Sequence, residues 1–165
     1  RRLAITDGLT GAYNRRYLLE QLDKEIARAR RHHRPLSLLL FDVDHFKKIN
    51  DGYGHLAGDR ILEEVSARVR AHFLRQGDLF ARFGGEEFAV VLAETGLEAA
   101  RGAAERLCAI IRGEPFVAEG NAIPVTISVG VASLGPEVET SRALIARADE
   151  NLYRAKREGR DRVCH

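Results

Sequence analysis

The stretch RFGGEEFAVV, at 82–91, sets two adjacent carboxylates, Glu86 and Glu87, directly after a glycine pair, between two apolar runs. Upstream, the apolar run LSLLLF leads into Asp42 and Asp44. Like charges held close together are unfavourable unless they are neutralised, and a hard divalent cation with oxygen ligands does this. Magnesium typically takes one or two carboxylates, keeps waters and binds substrate phosphates, so the implied chemistry is phosphoryl transfer. Taken singly, Asp42, Glu86 and Glu87 each read as an ordinary solvated turn or strand-end acid. Their combination argues for a site.

The elements that position these acids follow from periodicity. Asn14 can cap a helix running to about Arg31, with Leu18, Leu19, Leu22, Ile26 and Ala29 as its apolar stripe. LSLLLFDVD reads as a buried strand with Asp42 and Asp44 at its carboxyl end, and HFKKINDGYGH as the turn after it. A second amphipathic helix is expected over 58–73, on Ile61, Leu62, Val65 and Val69. DLFARF and EEFAVVL are strand-like on either side of the glycines, and a two-residue Gly-Gly connection predicts a tight β-hairpin. Helices over 97–111 and 141–158, a strand within 124–133 and a short extra strand near 115–117 complete the chain, with Gly159 closing the last helix. The order contains βαββαβ. It predicts an α+β fold with a ferredoxin-like sheet, first and third strands as central neighbours and its helices on one face, plus extra N- and C-terminal helices. In that topology Asp42 lies beside the hairpin tip, and three acids converge.

Composition sets the outer bounds. With 165 residues, 45% hydrophobic and 30% charged, the chain reads as one soluble globular domain. An excess of two positive charges does not by itself point to nucleic acid or a membrane surface. Cys108 and Cys164 lack close sequence partners, which fits free thiols in a reducing compartment, and the longest apolar run is too short to span a bilayer. A cytoplasmic location is expected for this domain, the full-length protein being free to carry a membrane anchor elsewhere. Residues 1–6 read as the end of an upstream linker helix.

GGEEF at 84–88, FDVDHFKKINDGYGHLAGD at 41–59, TDGLTGAYNRR at 6–16 and LYRAKREGRDRV at 152–163 together resemble the GGDEF domain, the catalytic domain of diguanylate cyclases, over 1–165. The resemblance implies a nucleotide cyclase or polymerase-palm type of fold. It also implies condensation of two GTP into cyclic di-GMP with release of two pyrophosphates, two magnesium or manganese ions per active site, and two domains facing each other. Carried over by position, Asp42, the Val43 carbonyl, Glu86 and Glu87 match the metal and catalytic positions. Asn50 and Asp59 match the guanine readers, and Leu62 an apolar base contact that reads equally as core. The amides of His45, Phe46 and Lys47 match the phosphate loop, and Lys156 with Arg160, four apart and so on one helical face, the phosphate cations.

RQGD carries a further implication. Arg75 and Asp78 stand in the family's register for an inhibitory product site, and Arg106 matches the arginine that completes it; two stacked cyclic di-GMP molecules bind there in relatives that have the site. Arginine forks suit phosphates and stack on guanine. The resemblance also implies an upstream sensory or receiver domain. An alternative reading is a catalytically silent module that binds cyclic di-GMP or GTP and regulates a partner. The intact acids favour the enzyme.

Overall fold

A computed structural model describes residues 4–165. Its first secondary elements are a two-residue strand β1 (Tyr13–Asn14) and the helix α1 (Arg15–Arg31). Asn14 caps α1 as expected, its side chain accepting from the Tyr17 amide. Strand β2 (Leu36–Val43) is buried along its whole length, the pattern of a strand covered on both faces. The predicted turn after it is instead a helix, α2 (Phe46–Tyr53), which Gly54, at a φ of 93°, separates from α3 (His55–His72). The second long helix therefore begins three residues before the expected position 58.

Strands β3 (Leu79–Arg82) and β4 (Glu87–Ala93) form the expected hairpin, but its connection runs over 83–86 rather than through the two glycines alone. Gly84 and Gly85 are not among the positive-φ glycines of the described residues. A β-carbon would meet nothing within 4 Å at Gly85 and only the Glu87 Cβ, at 3.8 Å, at Gly84. What the glycines provide here is an open backbone surface beside Glu86 and Glu87, not a primed turn. Helix α4 (Leu97–Arg112) follows, then a separate small hairpin of β5 (Phe116–Ala118) and β6 (Asn121–Ile123). Strand β7 (Ile127–Ser133), helix α5 (Ser141–Arg157) and strand β8 (Arg162–Cys164) end the chain.

The main sheet has the order β1-β3-β4-β2-β7-β8, so the first and third strands of the βαββαβ core, β2 and β4, are central neighbours as predicted. Its two edges, β1 and β8, pair in parallel and were not legible in the sequence. Alternation along β2 divides the core. Leu39, Phe41 and Val43 pack with Ile61, Val65 and Leu107 of α3 and α4, while Leu36, Leu38 and Leu40 pack with Leu18, Leu22, Leu144 and Ala148 of α1 and α5. The core helices thus share one face, and the two added helices cover the other. Both cysteines are free and buried. Among the described residues no helix is long and apolar enough to cross a membrane. Of the expected linker-helix end at 1–6, residues 1–3 lie outside the described residues; residues 4–6 are not helical, and Thr6 bridges Tyr13.

Candidate active site

Asp42 lies at the carboxyl end of β2, in register with Glu87 at the start of β4. Directly opposed residues of an antiparallel pair share a face, so the two carboxylates stand side by side on the α1/α5 side of the sheet. Glu86 precedes the strand, and its carbonyl accepts from the Val43 amide at 3.2 Å, which ties the hairpin tip to the end of β2. The Val43 side chain is buried in the core, leaving its backbone as the part available to a ligand. Lys156 reaches over from α5, and its ammonium pairs with Asp42 Oδ2. Asp42 Oδ1 is buried and without a partner among the described residues.

Burial raises the Asp42 carboxyl above its ordinary range despite the Lys156 charge. Glu87 is pushed up to about 7, first by burial and then by the negative charges of Asp42 and Asp149. Asp149, on α5, is an acid that the sequence did not single out. Its signal is its place seven residues before Lys156, which puts it on the same side of that helix. The expected convergence of three acids needs correction: among the described residues no group of three carboxylates is gathered closely enough to hold an ion unaided. A buried orphan oxygen on Asp42 and a neighbouring carboxylate whose charge is opposed by burial and by negative neighbours do fit a magnesium-type ion, which draws its other ligands from water and phosphate.

Lys156 can reach Asp42 because α5 lies unusually close to the sheet. A β-carbon at Gly130, in β7, would collide with the Ala148 carbonyl and the Leu152 amide of that helix. Past β2, His45 adopts the left-handed region at a φ of 55° and opens α2, whose start no side chain caps. The amides of His45, Phe46 and Lys47, the expected phosphate loop, lie at this start, where a helix leaves backbone donors without intrahelical partners. Asn50, on α2, stands against Gly58, where any side chain would meet its Oδ1, and that oxygen is also a buried orphan. Asp59 is the next residue on α3, so both expected guanine readers belong to the segments that meet at the α2–α3 junction. Leu62, at 2% exposure, belongs to the core. Arg160 departs from expectation, for α5 ends at Arg157 and Arg160 lies in the turn beyond it at a φ of 63°; it shares no helical face with Lys156.

A family model described as diguanylate cyclase, GGDEF domain, matches residues 4–162. The chain belongs to the GGDEF family. It is 48% identical over 163 residues to diguanylate cyclase DgcP of Pseudomonas aeruginosa, covering 99% of this chain and 24% of that protein. It is 47% identical over 163 residues to the response regulator PleD of Caulobacter vibrioides, covering 98% and 36%. Among solved structures, the GGDEF domain of DgcB from Caulobacter crescentus, in complex with c-di-GMP, superposes with a TM-score of 0.91 at 32% identity, covering 99% of this chain and 94% of that one. The chain thus spans about a quarter to a third of the length of these curated relatives.

Two further features of this GGDEF domain lie outside the Asp42–Glu87 pair. The Asp78 carboxylate accepts from the Arg75 amide at 2.9 Å, and the Asp78 amide donates to the Arg75 carbonyl at 3.1 Å, so RQGD is a turn closed by the Asp78 side chain and by backbone, without the Arg75 guanidinium. Burial raises the Asp78 carboxyl, while the hydrogen bond from the Arg75 amide and the charges of Arg75 and Arg106 act against it. Arg106 stacks 4.7 Å over the Phe73 ring and donates to the His72 carbonyl. The second feature gives the GGDEF signature a brace. Arg82 donates to the carbonyls of Gly84 and Gly85 and to both oxygens of Asp7, at 3.3 Å each. Burial works against the Asp7 charge, but hydrogen bonds from Thr10 and the Arg82 cation hold its carboxyl below the ordinary range. The TDGLTG loop thereby anchors the hairpin tip, a role its sequence alone did not announce.

Proposed function

We propose that this domain is the catalytic part of a diguanylate cyclase, condensing two GTP into cyclic di-GMP and releasing two pyrophosphates. The observation that carries the reading is the cross-strand pair of Asp42 and Glu87, one with an orphan buried oxygen, beside the uncapped start of α2. Each of the two steps joins the 3′-oxygen of one nucleotide to the α-phosphorus of the other, breaks the bond from that phosphorus to the pyrophosphate oxygen, and takes away the 3′-hydroxyl proton. When bound, two magnesium or manganese ions, held by Asp42, the Val43 carbonyl, Glu86 and Glu87, supply charge neutralisation and Lewis acidity at the α-phosphate.

The remaining roles belong to the chain. The amides of His45, Phe46 and Lys47 receive the terminal phosphates, and Lys156 and Arg160 add cations. Lys156 stands on Asp42 in the free protein, which keeps the buried carboxylate compensated until other positive charge arrives. Asn50 and Asp59 read guanine: a carboxylate accepts from its N1 and N2 donors, a pattern adenine lacks. One domain binds one GTP, so each reaction needs a second copy of the chain. Arg75, Asp78 and Arg106 hold cyclic di-GMP as a product brake, and a sensory or receiver domain elsewhere in the protein controls the pairing.

Incubating the chain with GTP and magnesium and measuring cyclic di-GMP tests the proposal. The expected result is product whose rate rises faster than enzyme concentration below the dimer dissociation constant. GTP binding without product, at high protein concentration, would replace it with a silent binding module. Wild-type turnover by Asp42→Asn would remove the metal assignment.

A further inference from the structure

The turn that follows α5 is built against the preference of its residues. Gly159, Arg160 and Asp161 take successive φ values of 126°, 63° and 47°. Glycine tolerates this region, but arginine and aspartate hold it only where their surroundings over-determine it. Several contacts do so. The Arg160 amide donates to the Ala155 carbonyl at 3.0 Å, the Arg160 carbonyl accepts from Arg162 Nε at 3.0 Å, and the Asp161 carboxylate takes Arg112 Nη1 at 2.6 Å. The contact that reaches this turn from the catalytic end of the sheet comes from Asp44.

Asp44 is 5% exposed, two residues beyond Asp42. Its Oδ2 accepts from the Asp161 amide at 3.0 Å and from the Thr126 hydroxyl at 2.7 Å, and its Oδ1 accepts from the Ser128 hydroxyl at 2.6 Å. A buried carboxylate surrounded by donors in this way is a fixed anchor. The plain explanation would be that it fastens β2 to β7. Those strands, however, are already joined here by their own ladder, from Val43 opposite Ile127 to the Asp44 amide on the Thr126 carbonyl at 2.9 Å. What the Asp44 side chain adds to that ladder is the reach to Asp161. Ser128, one of its donors, is also the β7 residue opposite Arg162, where the turn gives way to β8.

We propose that Asp44 is a positioning residue for substrate: it locks the Arg160–Asp161 turn in its left-handed conformation and so presents the Arg160 guanidinium to the phosphates of the bound nucleotide. The inference rests on the reading of Arg160 as a phosphate contact. Among the described residues, none of the bonds that hold the turn uses the Arg160 side chain, so its backbone is fixed while its guanidinium is left out of the turn's own bonding. Asparagine at 44 would keep the shape but offer one acceptor oxygen and turn an N–H₂ group toward donors.

The test is a double-mutant cycle on binding rather than turnover. Affinity for the α,β-methylene analogue of GTP, which cannot be cleaved at the reacting bond, is measured by calorimetry with magnesium for wild type, Asp44→Asn, Arg160→Ala and the double variant. Asp44→Asn and Arg160→Ala are each expected to weaken binding about tenfold, and Asp44→Asn to change it less than about twofold when Arg160 is already alanine. Hydrogen exchange at the Asp161 amide should accelerate in Asp44→Asn. Thr126→Val, which removes one donor from Oδ2 and keeps the side-chain volume, should show the same pattern more weakly, and it carries the test if Asp44→Asn does not fold. Equal losses in both backgrounds would make Asp44 merely structural and overturn the inference, as would weakened binding in Arg160→Ala alone. Unchanged binding in Arg160→Ala would instead strike down the phosphate role of Arg160, and the inference with it.

Discussion

Asp42 and Glu87 face each other across the β2–β4 ladder, and only Asp42 has a cation, Lys156, in direct contact. Burial first, and then the neighbouring negative charges of Asp42 and Asp149, work against an ionised Glu87 in the free protein. Glu87 ionises near 4.5 when unfolded and at about 7 when folded, so the folded state binds its proton more tightly. The stability it contributes is therefore present below pH 4.5 and falls as pH climbs from 4.5 to 7. Glu87→Gln should match wild type at pH 4 and be more stable above pH 7, by about 1 kcal/mol once water screening of a half-exposed group is allowed for. Urea midpoints at the two pH values check this, and parallel curves would show that the pair is not strained.

The reach of Lys156 to Asp42 depends on how closely α5 approaches β7. Gly130→Ala would drive a methyl into the Ala148 carbonyl and the Leu152 amide, both backbone groups that cannot rotate away. The expected cost is about 1–3 kcal/mol of unfolding free energy, with α5 displaced outward. Nucleotide affinity should fall with it, because Lys156 moves with the helix. A variant with wild-type denaturation midpoint and affinity would mean that the sheet yields and the glycine is incidental.

Arg82 joins the hairpin tip to the TDGLTG loop, and it does so mainly through backbone carbonyls and one carboxylate that is itself held by Thr10. Arg82→Ala should free the 83–86 connection while leaving the β3–β4 ladder intact, since the Glu87 carbonyl still accepts from Phe83 and Gly84. Stability should drop by about 1–2 kcal/mol, and cyclic di-GMP synthesis by about tenfold or more, because the acids lose a fixed position. Faster hydrogen exchange confined to the tip, alongside the kinetic loss, is the signature; a uniform loss of protection would point to general destabilisation.

How far the chain was legible depends on the range of the interaction involved. The Asn14 cap, the buried run of β2 and the βαββαβ order are local patterns, and each is present. FKKINDGY was misread as a turn because Asn, Asp and Gly are turn formers. What prevailed was a helix start fixed by the left-handed His45 and by burial of Ile49. Strands β1 and β8 are two and three residues long and exist only through pairing with β3 and β7. Asp42, Glu86 and Glu87 stood out only in combination, and Asp149 not at all. Their partners were not legible: Lys156 lies 114 positions from Asp42, and Arg82 lies 75 from Asp7. Such contacts belong to the topology, which no local period encodes.

The RQGD turn shows how the structure refines the choice of variant. Asp78 takes the Arg75 amide rather than its guanidinium, so truncating the arginine removes the guanidinium proposed to grip product phosphate and leaves the turn closed. Truncating Asp78 would instead open the turn and shift β3, which begins at Leu79. Arg75→Ala is therefore the clean test of product inhibition. Initial rates should stay within about twofold of wild type, because nothing in the turn contacts the acids, while the cyclic di-GMP concentration that halves activity should rise at least about tenfold with the loss of a charge-assisted contact. Arg106→Ala should act in the same direction but also lose its stacking on Phe73, so a small drop in stability accompanies it. Inhibition curves for Arg75→Ala that overlay the wild type would mark RQGD as an ordinary helix-to-strand connection.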